Sequence, residues 1–127
     1  MNILIICLFI AMLLPYLAKM PVAVAMAKLG GYDNAHPRAQ QAKLTGFGAR
    51  ALAGHQNAFE SLLIFGLAVL TVIATDKVNE TCSMLAITHV IARVVYHALY
   101  LLNYGTLRSL SWFVAIGASI GIFVQAL

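Results

Sequence analysis

The chain has 127 residues, of which 62% are hydrophobic and 9% charged, against roughly 25% charged in ordinary soluble domains. That composition excludes a soluble globular domain, since too few polar residues exist to cover such a core, and it excludes intrinsic disorder as well. The formal charge is +4. The basic residues stand at the ends of apolar segments, so they read as membrane-topology determinants and not as a nucleic-acid surface. The expected protein is an all-α integral membrane chain, with residues 1–127 forming one domain.

A helical crossing of the hydrocarbon takes about 20 mostly apolar residues. The first expected span covers 3–27, interrupted only by Lys19, with Pro15 and Pro21 as candidate kinks. A cleaved signal peptide competes for this segment, but the basic start is missing and the apolar stretch is too long. Residues 28–48 form the one long polar loop, where Gly30, Gly31, Asp33, Asn34, Pro37 and Gly46 all interrupt helix. The second span covers 49–75. A short polar turn from Asp76 to Glu80 follows, then a third span over 81–102 that contains Arg93. Asn103, Tyr104 and Gly105 make the last turn, and the fourth span runs over 109–127.

Short connections favour antiparallel neighbours, which makes a four-helix bundle the economical architecture. Lys28, Arg38, Lys43 and Arg50 surround the first loop and Arg108 marks the third, whereas the second turn sets one Lys beside two acids. The positive-inside rule then places the first and third loops in the cytoplasm and both termini outside. Cys7 and Cys82 lie near the starts of apolar segments and read as packing residues. Gly117 and Gly121 form a small-xxx-small pair that permits close helix approach.

The informative residues are the polar ones inside the spans, because a charge at mid-bilayer normally faces a partner or a wet cavity. On the second span Arg50, Asn57 and Glu60 share roughly 80° of helical arc, while His55 points elsewhere. On the third, His89, Arg93, Tyr96, His97 and Tyr100 share a stripe about 100° wide. Glu60 precedes the turn at Val78 by about 18 residues and Arg93 follows it by about 15, so the two stand at similar heights in an antiparallel hairpin. A charge-assisted bond between them is expected. A buried pair that only fixes helix register is the plain structural alternative. Against it stands an excess of donors: Arg50, Asn57, Tyr96, Tyr100 and Arg108 share the same half of the membrane, and one Glu cannot satisfy them all. An anionic or zwitterionic guest would. No His, Cys or carboxylate set has metal-ligand spacing. His97 reads as a packing residue or a ligand, and His89 as structural.

The segment Ala49-Arg50-Ala51-Leu52-Ala53-Gly54-His55-Gln56-Asn57-Ala58-Phe59-Glu60 resembles the second-helix signature of the MAPEG family, the membrane-associated proteins in eicosanoid and glutathione metabolism. Its core is Asn-x-x-Glu. Arg93-x-x-Tyr96-x-x-x-Tyr100 is similar to the family's third-helix motif, and the loop from Tyr32-Asp33-Asn34 to Pro37-Arg38 resembles bacterial members. The resemblance covers nearly the whole chain. It implies a homotrimer in a bacterial inner membrane, with glutathione bound as co-substrate between subunits at the cytoplasmic leaflet. The residues implicated in binding are Arg50, Asn57, Glu60, Arg93, Tyr96 and Tyr100. Arg108 and Tyr100 would be catalytic, with Arg108 stabilising the thiolate.

The chemistry suits such a guest: guanidinium groups bind carboxylates bidentately, Glu60 can hold an ammonium, and a nearby guanidinium lowers a thiol pKa from about 8.5. The implied activity is a glutathione-dependent transferase or peroxidase acting on lipophilic electrophiles or hydroperoxides. One departure stands out: where many glutathione-using members carry Arg four residues before the motif Asn, this chain has Ala53. The alternative is a non-catalytic lipid-binding or scaffold trimer of the same family. A small transporter ranks last, because the fourth span offers only Ser109, Ser111, Ser119 and Gln125 as polar lining.

Overall fold

In a computed structural model describing residues 1–127, five helices account for most of the chain. They are α1 (Asn2–Ala27), the short α2 (Pro37–Gln41), α3 (Gly46–Ala74), α4 (Glu80–Leu101) and α5 (Gly105–Gln125). All but α2 are long and apolar enough to cross a membrane. Their outer faces carry Ile, Leu, Val and Phe side chains exposed to the surroundings, as lipid contact requires. On those faces Thr71 and Thr88 turn their hydroxyls back to carbonyls of their own helix, at 2.6 and 2.9 Å, so these two donors do not meet the hydrocarbon unpaired.

α1 packs on α3, α5 packs on α4, and each outer helix also touches the other member of the α3–α4 pair. α1 and α5 therefore occupy opposite corners of the bundle, while α3 and α4 meet along the diagonal. The sequence-adjacent hairpin α3–α4 is the least extensive of these four-helix contacts. That diagonal leaves one seam on the α1 side and another on the α5 side.

The two ends of the bundle differ in chemistry. Near the 75–79 turn, Leu4, Cys7, Phe65, Val69, Val72, Cys82, Ala86 and Ile122 form a dry core. α5 is tied down there: Lys77 Nζ donates to the Leu127 carbonyl and Asn79 Nδ2 to Gln125 Oε1, both at 2.9 Å. Asn79 also caps α4 by accepting from Cys82 N at 3.0 Å. At the loop end the apolar packing shrinks to Val22, Met26 and Ala51. Here Gln40 acts as a buried peg. Its Nε2 donates to Gly31 O at 2.7 Å and Met26 O at 3.2 Å, and its Oε1 accepts from Asp33 N at 2.9 Å. Asp33 Oδ1 in turn accepts from Ala35 N and His36 N, which makes the tight turn before Pro37.

α3 starts at Gly46 and α5 at Gly105, earlier than the hydropathy pattern suggests, because polar first turns extend the helices beyond their apolar stretches. α1 runs unbroken through Pro15 and Pro21. His55 points at α1, away from Glu60, and its Nδ1–H donates to the Pro15 carbonyl at 2.7 Å. His89 is structural. Its ring stacks on Phe65 with centroids 3.9 Å apart, and its Nδ1–H is shared between Ala115 O and Ser119 Oγ, both at 3.1 Å. Gly121 meets α4, where an added Cβ would stand 2.9 Å from Leu85 Cδ1, but Gly117 faces open space.

Gly48 is the tightest approach of α3 to α1: an added Cβ would lie 3.0 Å from Ala25 Cβ and 2.9 Å from Leu44 Cδ2. Gly48→Ala is expected to destabilise the detergent-solubilised protein by about 1–3 kcal/mol through overpacking. Gly105→Ala, which meets nothing, should not. Thermal melting of both variants checks this, and equal melting temperatures would contradict the packing described. His89→Ala removes the α4–α5 bridge and leaves a cavity against Phe65, so it should cost about 2–3 kcal/mol in the same assay.

Candidate functional site

Arg93 lies in the middle of α4 with 2% of its surface exposed. Its height follows from the rise per residue: it stands ~20 Å from the start of α4, and Glu60 stands ~21 Å from the end of α3. Similar height does not produce the expected ion pair. The one His, Lys or Arg nitrogen within 4.0 Å of a side-chain carboxylate is His36 Nδ1, 3.9 Å from Asp33 Oδ1. Arg93 turns inward and lays its guanidinium over the Tyr96 ring, 4.1 Å from the centroid, whereas Glu60 faces outward from the chain and is exposed. The two side chains share a cleft without touching.

That cleft lies on the α5 side, between α3, α4 and α5. Asn57, Glu60, Ser61, Arg93 and Trp112 line it. Its polar groups are unsatisfied: Arg93 Nη1 and Nη2 and Asn57 Oδ1 are buried and have no hydrogen-bond partner within the chain. A buried donor without an acceptor costs roughly 1–3 kcal/mol, more if charged. A bare Glu60 facing lipid would add a few kcal/mol. The enclosed volume is only about 70 Å³, too small for a ligand larger than a few atoms, so anything that satisfies these groups must extend beyond the surface of one chain.

A ladder of cations and rings leads from Arg93 toward the loop end. Tyr96 meets Tyr100 edge to face at 5.6 Å, and Arg108, from the first turn of α5, covers the Tyr100 ring at 4.4 Å. The i, i+3, i+7 spacing on α4 places Arg93, Tyr96 and Tyr100 on one face. The tight turn at Asn103, with φ 65°, brings Arg108 back over them. Alternating guanidinium and aromatic faces is a favourable arrangement for cations held out of water. It leaves their N–H edges free for an anion.

Arg50 goes elsewhere. It lines a second cleft on the α1 side, formed by α1, α3 and α4, together with His97 and an edge of Tyr100. Arg50 therefore does not share the cleft of Asn57, Glu60 and Arg93. Tyr100 belongs to the ladder and to this second cleft. Between the clefts lies a neck of about 10 Å³ bounded by Ser61, His89, Arg93 and His97. The sequence reading missed Ser61 and Trp112 as lining residues and Gln40 as the loop peg. Trp112, the single Trp of the chain, was the one available signal for the fourth helix.

No group of three or more His, Cys, Asp or Glu side chains is placed to hold a metal ion. Lys19, Lys28, Arg38, Lys43, Arg50 and Arg108 gather toward the loop end, while the opposite end carries Lys77 beside Asp76 and Glu80. The MAPEG family's sequence model matches residues 3–127. No curated protein and no solved structure matches the chain. Four apolar helices, the Asn57/Glu60 and Arg93/Tyr96/Tyr100 placements and a match over essentially the full length agree, and the chain belongs to the MAPEG family.

Proposed function

We propose that this protein is a glutathione-dependent transferase or peroxidase acting on lipophilic electrophiles or hydroperoxides, and that it works as a homotrimer with the tripeptide held between subunits. The carrying observation is Arg93, whose two terminal nitrogens are buried and unpartnered in a cleft that also holds Glu60. Glutathione bears two carboxylates and one ammonium. The guanidinium of Arg93 suits a carboxylate, Glu60 suits the ammonium, and Asn57 Oδ1 can accept a peptide N–H. The smallness of the cleft and the exposure of Glu60 support a site completed by a neighbouring copy.

The roles of this chain's residues follow from position. Arg93 and Tyr96 orient the peptide backbone, while Tyr100 and Arg108 at the loop end face its reactive side. Glutathione supplies a thiol, and a guanidinium beside it raises the thiolate fraction. Arg108, already fixed over Tyr100, is the residue to do so and to stabilise the developing charge; the Tyr100 hydroxyl can donate to the sulfur or to the leaving oxygen. The acceptor arrives dissolved in lipid, and holding it beside a positioned thiolate supplies much of the rate advantage. The basic end supports an orientation with the first and third loops in the cytoplasm, where glutathione is available, and both termini outside. The loop motif favours a bacterial inner membrane.

The family also includes non-catalytic members, and Ala53 at the place of the usual Arg favours the second reading, a lipid-binding or scaffold trimer. Calorimetric titration of the solubilised protein with glutathione separates the two. Saturable binding is expected, weakened about tenfold or more by Arg93→Met and by Glu60→Gln, which corresponds to ~1.4 kcal/mol or more. No heat of binding at millimolar glutathione, or an Arg93→Met variant that dissociates to monomers on size exclusion, would overturn the enzyme reading.

A further inference from the structure

The cleft on the α1 side shares only Tyr100 with the proposed chemistry. It measures about 210 Å³ and lies between α1, α3 and α4, where Leu17, Ala18, Arg50, Val94, His97 and Tyr100 face it. Most of that lining is hydrocarbon. Two groups break the pattern. Arg50 Nε and His97 Nε2 are both buried with no hydrogen-bond partner, and Arg50 keeps only a long 3.5 Å contact from Nη2 to the Leu101 carbonyl. Gly54 lies between them on the cleft wall, where an added Cβ would stand 3.4 Å from the His97 ring.

We propose that this cleft is a second binding site, distinct from the Arg93 cleft, that takes the carboxylate and first carbons of a single-chain fatty acid. Arg50 begins ~6 Å inside α3, and Leu101 ends α4, so the polar groups sit at the membrane interface of the basic end. The exposed side chains of Leu17 and Val94 continue the apolar lining out to the bilayer, giving an alkyl chain a path from the lipid. One guanidinium and one imidazole match a monoanion. The Nε–H edge of Arg50 can engage a carboxylate, and the His97 Nε2–H can donate to its second oxygen. The volume admits one chain and not the two of a phospholipid. This assignment is independent of glutathione binding, because it uses neither Glu60 nor Arg93.

The test is calorimetric titration of the full-length protein in a neutral maltoside detergent with dodecanoate. One dodecanoate per chain is expected, with affinity reduced about tenfold or more in Arg50→Gln. Dodecanol, with the same tail and no charge, should show no saturable binding. Ala18→Leu fills the cleft from α1 and should abolish dodecanoate binding while leaving the melting temperature and the glutathione titration unchanged. Glu60→Gln should leave dodecanoate binding intact, so a failure of the glutathione reading is told apart from a failure here. Equal binding of dodecanol, or dodecanoate binding indifferent to both Arg50→Gln and Ala18→Leu, would mean simple partition into the detergent and would overturn the proposal. Displacement of dodecanoate by dilauroyl phosphatidylglycerol at equal concentration would also overturn it, by making a phospholipid the occupant.

Discussion

A guanidinium closed inside a membrane bundle without an acceptor is the constraint around which this molecule is arranged. Arg93 is as buried as the aliphatic core residues, yet its terminal nitrogens have no hydrogen-bond partner within the chain. Stacking on Tyr96 offsets part of the desolvation, since a ring face attracts a cation more strongly where water is excluded. It cannot replace hydrogen bonds made along the N–H edge. The remaining demand is directional, and Glu60 and Asn57 define its direction by lining the same cleft.

The bundle makes room for this arrangement through its diagonal. α3 and α4 carry the buried side chains of His55, His89 and Arg93, and they pack on each other less extensively than either packs on α1 or α5. Dry apolar packing by α1 on α3 and by α5 on α4 holds them in place instead, anchored by Phe65, Val69, Val72 and Ile122 at the turn end. Stability and polarity are thus separated along the membrane normal. One half of the bundle is closed by hydrocarbon, with His89 as a satisfied polar bridge inside it. The other half leaves polar atoms of Arg50, Asn57, Arg93 and His97 unpaired, and the loop pegged by Gln40 covers its end.

Two seams follow from one diagonal. On the α5 side the seam is small and charged, and its carboxylate looks outward, a geometry suited to a zwitterion shared with another subunit. On the α1 side it is larger and mostly apolar, with its polar atoms toward the interfacial end, a geometry suited to an amphiphile. The neck at Ser61, Arg93 and His97 separates the two. His97 borders both the neck and the apolar seam.

The four spans, the basic end, the inward stripe on α4 and the similar heights of Glu60 and Arg93 were all legible in the residues, because hydropathy fixes where a helix crosses and the rise per residue fixes depth. Phase along a single helix likewise separated His55 from Glu60. What the sequence left open was the rotation of each helix against its neighbours. Tertiary packing turned Arg93 inward and Glu60 outward, so the expected pair became two poles of a cleft, and it sent Arg50 to the opposite seam from Asn57. The reason is that contacts of α1 and α5 set those rotations, through close approaches such as Gly48 on Ala25 and Gly121 on Leu85, which no periodicity within α3 or α4 encodes.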